Sequence, residues 1–366
     1  MALGSADNSG GAAGVSVASS VENLAENAAG SNVARPAPSL LYGLILSGPK
    51  RGSAIEWSAL QGHIFGDPNS TLDLDRETIW LHIDYTHPDA KQWLNRQHRI
   101  TPLVVEALLR EEARPRVSAL GNSLLASLRS INFSAEAKPE DMVALRLWTD
   151  ARLIITSRRR HVLAAQEMAE RIQSGDGPET AAGFLVALCE TLILHMQETI
   201  SDIEDYLGDI EEQVLLSPGL QLRTEVAKLR RQAIALRRYL APQRDAMLQL
   251  QNDKISWLGN DDRSRLRETT DHLHRYIEDL DSVRDRAAVT QEELANRLAE
   301  QLNNRMYVLS LVAAIFLPLG FFTGLLGINV GGIPLAHSSV GFVVVLGLLV
   351  VIVSLQLWLL KIKKWF

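Results

Sequence analysis

Two uncharged apolar runs near the C-terminus, Met306 to Leu326 and Gly341 to Leu360, constrain this chain more than any other feature. At about 1.5 Å per helical residue, a run of about 20 residues spans a hydrocarbon core of roughly 30 Å. They predict a membrane hairpin whose connecting turn reads Gly327-Ile328-Asn329-Val330-Gly331-Gly332-Ile333-Pro334. Two helices cannot enclose a pore. A conduit through such a chain therefore requires several copies around an axis.

Flanking charge sets the expected orientation. Arg305 precedes the first run, Lys361, Lys363 and Lys364 follow the second, and the turn carries no Lys, Arg, Asp or Glu. The positive-inside rule then puts both termini in the cytoplasm and the turn outside, and Trp358 and Trp365 fall where indole rings favour the inner headgroup layer. Of the 366 residues, about 300 precede the first run, enough for a large cytoplasmic part with its own core. A net charge of -6 with interspersed signs argues against a nucleic-acid binder. Cys189 is the sole cysteine, which rules out intrachain disulfides and thiolate-rich zinc sites.

Four segments follow. Residues 1–39, rich in Ala, Gly, Ser and Asn, predict a disordered N-terminal tail without the basic start and apolar core of a secretory signal. Residues 40–180 predict a cytoplasmic α/β domain. Its strands are expected at Leu41 to Leu46, Thr78 to Ile83, Ser123 to Asn132, Met142 to Trp148 and Leu153 to Thr156. Helices are expected at Asp89 to Gln97 and Pro102 to Leu109, the second capped by Thr101.

Residues 181–305 predict a helical hairpin, Ala181 to Leu216 and Leu222 to Gln251, followed by a stalk helix that starts near Asp262. Pro242 is a candidate break in the second arm. With no Pro or Gly before Pro318, the stalk runs into the first apolar run, and Asp262 to Leu326 would measure on the order of 100 Å. Residues 306–366 form the transmembrane hairpin with its Gly-Ile-Asn tip and basic tail.

Gly327, Ile328 and Asn329 end the first span. Either Gly327 closes the helix and Asn329 tolerates the turn, or the Asn329 amides of several copies form a ring that hydrogen-bonds the water shell of an entering cation. Gly320 and Gly324, with Ala313 and Ala314, permit close helix approach, and Pro318 is expected to bend or loosen the helix.

Phe316-Leu317-Pro318-Leu319, Gly327-Ile328-Asn329 and the ending Lys361-Ile362-Lys363-Lys364-Trp365-Phe366 together resemble the CorA family of divalent-cation transporters. Ile328 stands where the family motif has Met, and the extended turn is most similar to the ZntB zinc-transport branch. The resemblance implies a bacterial inner-membrane protein and a funnel-shaped homopentamer: α/β cytoplasmic domain, long helical stalk, and a pore lined by the first of two transmembrane helices. Gly327, Ile328 and Asn329 would form the entrance. Gly320, Leu317, Ala313, Ser310, Met306, Asn303, Asn296 and Glu292 would line the path, with Leu317 and Met306 as apolar constrictions. Zn2+ would be the transported ion, and Mg2+, Co2+, Ni2+ or Cd2+ alternatives. No permanently bound cofactor is expected; membrane lipid and further copies of the chain are the expected partners.

Other polar features have two readings each. His272 and His274 diverge by about 200° on one helix and cannot share an ion within one chain, so they are either plain helix residues or ligands contributed across subunits. Glu204, Asp205, Asp209, Glu211 and Glu212 form either a solvated face or an electrostatic reservoir for cations. Arg158, Arg159, Arg160 and His161 either solvate or ion-pair an interface. His337 is the ionisable residue at the hairpin tip, a candidate for proton exchange or a plain loop residue. Ser47 to Ser53 lacks the spacing of a phosphate loop, so nucleotide-driven pumping is not expected, nor is any other enzyme activity. The competing function classes are a magnesium or cobalt channel and a membrane-tethered scaffold or sensor.

Overall fold

The computed structural model describes residues 39–61, 76–111, 114–134, 137–138, 140–328 and 340–362. Six strands, β1 (Leu40–Ile45), β2 (Ile79–Asp84), β3 (Arg116–Leu120), β4 (Ser123–Ser130), β5 (Val143–Thr149) and β6 (Leu153–Arg158), form one sheet in the order β1-β2-β6-β5-β4-β3. Only β2 and β6 run parallel, with Leu81 opposite Ile155; the other pairs are antiparallel. The helices are α1 (Trp57–Gln61), α2 (Pro88–Arg96), α3 (Pro102–Leu109), α4 (Leu163–Gln173), α5 (Ala181–Leu216), α6 (Leu220–Asn252), α7 (Asn260–Gly327) and α8 (Gly341–Ile362).

The chain divides into two compact units. The first takes in the sheet, α1–α4, the start of α5, the end of α6 and the start of α7. Strand alternation sorts its core. Ile79, Leu81 and Ile83 of β2 join Ile155, Trp148 and Leu125 in a cluster with Trp93 and Leu94 of α2 and Val104, Val105 and Leu108 of α3. Trp80 and His82 point to the other face, where the Phe184 ring of α5 lies 4.8 Å from Trp80. The β3–β4 hairpin turns at Gly121, whose φ of +64° favours glycine.

The second unit, Met196–Ala241 with His274–Phe366, begins as three packed helices. Buried positions alternate steps of three and four: Ile200, Ile203, Leu207, Ile210 and Val214 on α5; Leu222, Val226, Leu229, Ala233, Leu236 and Leu240 on α6; Tyr276, Leu280, Val283, Ala287, Thr290 and Leu294 on α7. This is the heptad pattern of knobs-into-holes packing. Polar contacts set the direction. Tyr276 donates to Gln197 at 3.1 Å, Arg286 pairs with Glu211 at 2.6 Å, and Arg297 donates to the Leu215 carbonyl at 3.3 Å, so α5 and α7 run parallel.

Several expected boundaries shift by one or two residues, and three local readings need correction. Thr101 occupies the N-cap position of α3 but makes no side-chain cap bond; its backbone carbonyl accepts from Val104 and Val105 instead. Pro242 does not break α6: the helix runs through it, and Gln243, Ala246, Met247 and Leu250 beyond it are buried. Strand β3 and helix α4 fall between the expected elements. The tail before Ser39, the tip from Asn329 to residue 339 and residues 363–366 lie outside the described residues, and with them Asn329, His337, Lys363, Lys364 and Trp365.

Candidate functional site

Among the described residues, three helices are long and apolar enough to cross a membrane, and burial separates them. The apolar window of α5 is 56% buried inside the protein, while those of α7 and α8 are 0% buried. An uncovered apolar window of this length is stable in hydrocarbon and not in water, which makes α7 and α8 the candidate spans.

Within the α7 span, the half-buried positions are Leu311, Ile315, Pro318, Leu319, Phe322 and Leu326. Their spacing marks the least exposed face of this stretch. At 100° per residue, the expected path residues Glu292, Asn296, Asn303, Met306, Ser310, Ala313, Leu317 and Gly320 fall in a stripe about 120° wide, centred about 150° from that face. All eight are exposed in the single chain, Leu317 at 74%. Gly327 ends the helix and Ile328 follows it, both exposed, next to the undescribed Asn329. A cavity of about 500 Å³ opens between α7 and α8, lined by Phe316, Gly320, Thr323, Val350, Val353 and Ser354 among others. Thr323 and Ser354 direct their hydroxyl protons into their own helices, onto the carbonyls of Leu319 at 2.9 Å and Val350 at 2.8 Å, so the cavity is largely apolar.

Among the described residues, a side-chain hydrogen bond joins α7 and α8. Gln356 of α8 donates its side-chain amide to the Ala314 carbonyl at 3.3 Å. That carbonyl is four residues before Pro318, which has no N–H to give it. No motif announces Gln356, yet a signal was there: it is the only amide in the run Gly341 to Leu360, where a polar side chain is costly enough to imply a partner.

Outside the spans, no group of three or more His, Cys, Asp or Glu is arranged to hold a metal among the described residues. His274 is exposed with Glu278 at 3.6 Å, and His272 is half-buried. Glu211 of the acidic group is engaged with Arg286, while Asp205, Asp209 and Glu212 are exposed. Burial, then the neighbouring Asp279, pushes the Glu204 carboxyl up. Arg159 pairs with Glu111 at 3.2 Å. Ser47 accepts the Thr78 N–H and Arg51 binds Glu179 and the Gly177 carbonyl, so the 47–53 loop is tied into the domain. Burial pushes the Cys189 thiol up to about 12, which makes it inert at neutral pH.

Two buried polar groups had no visible sequence signal. His82 is fully buried: Trp80 donates to the Thr156 hydroxyl at 2.8 Å, and that hydroxyl contacts His82 Nδ1 at 2.7 Å. Burial, and after it Arg158 and His161, hold His82 well below its ordinary value, so it is neutral. Arg146, 1% exposed, lies 5.0 Å from the Tyr85 ring centroid and donates to the Glu111 carbonyl.

An α/β domain followed by packed helices and long, uncovered apolar helices is the architecture of a membrane protein. The model of the family described as CorA-like Mg2+ transporter protein matches residues 75–364, and the chain belongs to that family. A zinc transport protein ZntB from Yersinia enterocolitica is 40% identical over 289 residues, 79% of this chain and 88% of the relative. Among solved structures, a full-length CmaX protein is 37% identical with a TM-score of 0.74, covering 90% of this chain and 98% of that one. The CorA magnesium transporter of Methanocaldococcus jannaschii shares the fold at 18% identity, TM-score 0.68, over 81% of this chain and 93% of its own.

Proposed function

We propose that this protein carries divalent cations, zinc foremost, across the bacterial inner membrane through a homopentameric conduit walled by α7. The observation that carries this reading is the 40% identity to a zinc transport protein along 79% of the chain, beside a family match that takes in both apolar spans. The path runs from an Asn329 ring at the outer tip, past Gly320, Leu317, Ala313, Ser310 and Met306, to Asn303, Asn296 and Glu292 inside. With no titratable side chain on its membrane portion, the ion passes with much of its water shell, held by amide and carbonyl oxygens. Both termini are cytoplasmic, and protons enter with the metal, exchanged at His337 or Glu292. A magnesium channel is the second reading, favoured by the description of the matching family.

The test is uptake by proteoliposomes. Zinc entry should exceed magnesium entry and rise when the outside is made acidic. Magnesium entry alone would select the second reading, and no metal-dependent flux would favour the tether. Asn329→Ala should lower flux about tenfold or more while the assembly keeps its size; unchanged flux would remove Asn329 from the path.

A further inference from the structure

We propose that Gln356 is a positioning residue for the conduit: from α8 it supplies the hydrogen bond that Pro318 withholds, and so fixes the turn of α7 that carries Ala313 and Leu317. One missing hydrogen atom is the root of it. In a helix the N–H of each residue bonds the carbonyl four residues earlier, and proline has none. Pro318 therefore leaves the Ala314 carbonyl without its intrahelical donor, and an unmet carbonyl is costly in a helix that crosses a bilayer.

The Gln356 side-chain nitrogen lies 3.3 Å from that oxygen. A carbonyl only accepts, so the orientation of the amide is fixed: nitrogen towards Ala314, oxygen away. The Gln356 Oε1 is buried with no protein donor among the described residues, so the side chain is held here through its nitrogen. Helix α7 runs on through Pro318 to Gly327. Ala314 is adjacent to Ala313, and Pro318 to Leu317, two path positions of the transport reading, the second of them an apolar constriction. A bond on this turn therefore controls their spacing without touching the ion. The role in transport rests on the proposed function; the bond itself does not.

A double-mutant cycle separates the two. Gln356→Leu should change the maximum zinc flux by about three- to tenfold and leave the zinc KM unaltered. Pro318→Ala restores a backbone N–H for the Ala314 carbonyl, so in that background Gln356→Leu should have no further effect. Hydrogen exchange of residues 313–322 in lipid nanodiscs provides a readout independent of transport: faster in Gln356→Leu, at the parent rate in the double variant. Gln356→Asn, polar but too short to reach, should behave like Gln356→Leu and covers the case in which leucine disturbs assembly. Equal effects of Gln356→Leu with and without Pro318 would overturn the proposal, since packing alone would then explain them. If the parent protein carries no metal while the exchange pattern holds, the bond stands and the conduit reading fails.

Discussion

Helices α5 and α7 each contain an apolar window long enough to span a bilayer, yet their surroundings are opposite. Phe184, Leu185 and Leu188 of α5 are buried, with Phe184 against Trp80, whereas Phe316 and Leu317 of α7 are among the most exposed apolar side chains of the chain. Length and apolarity alone do not make a membrane span. A window that finds a sheet to cover it becomes core; one left bare must be covered by lipid or by further copies of the protein.

Truncation exposes the difference most strongly. Phe184→Ala should lower unfolding stability by about 3–5 kcal/mol, because it empties a packed site. Phe316→Ala should cost under about 1 kcal/mol in detergent micelles, where its site is already solvent-like. Chemical denaturation of both variants checks this, and equal losses would break the comparison.

The α/β side carries a pH dependence of its own. His82 is neutral in the folded state and has a depressed value, so its contribution is intact above the ordinary value of 6.5 and is lost as pH falls from there towards the folded-state value. Within that window each pH unit removes up to about 1.4 kcal/mol. The groups facing it are Tyr42, Trp80 and Thr156, with Arg158 and His161 opposing its protonation. Thermal unfolding between neutral and mildly acidic pH should show the loss, and His82→Phe should flatten it. A slope that survives the substitution would place its origin elsewhere.

The smallest effect is expected at the half-exposed Glu211–Arg286 pair. Glu211→Gln should cost under about 1 kcal/mol, and the cost should shrink with added salt. A larger, salt-insensitive loss would mean that the Thr290 bond to the same carboxylate matters more than the ion pair.

Apolar periodicities were legible along the chain, and what depends on tertiary neighbours was hidden. Helix α5 was readable end to end, and β2 and β6 nearly so, because their apolar residues recur at the spacing of their own backbone. Strand β3 was not, since Arg116–Leu120 buries only Val117 and shows no alternation. Pro242 looked like a break because local chemistry disfavours it, while the buried turn beyond it held the helix together. The two long apolar helices were plain. His82 and Arg146 were not, because a buried polar residue is defined by partners far away in the chain: Thr156 for one, Tyr85 and Glu111 for the other. Gln356 belongs with them, its meaning appearing only when Pro318 is set beside it.

Transport by this chain requires that its bare helices be covered by copies of themselves around a path. Native mass spectrometry of the full chain released from lipid nanodiscs tests this most directly. The predicted result is a single species of five chain masses that persists in native lipid; a species of one chain mass under the same conditions would contradict it, because two helices leave no space for an ion to cross.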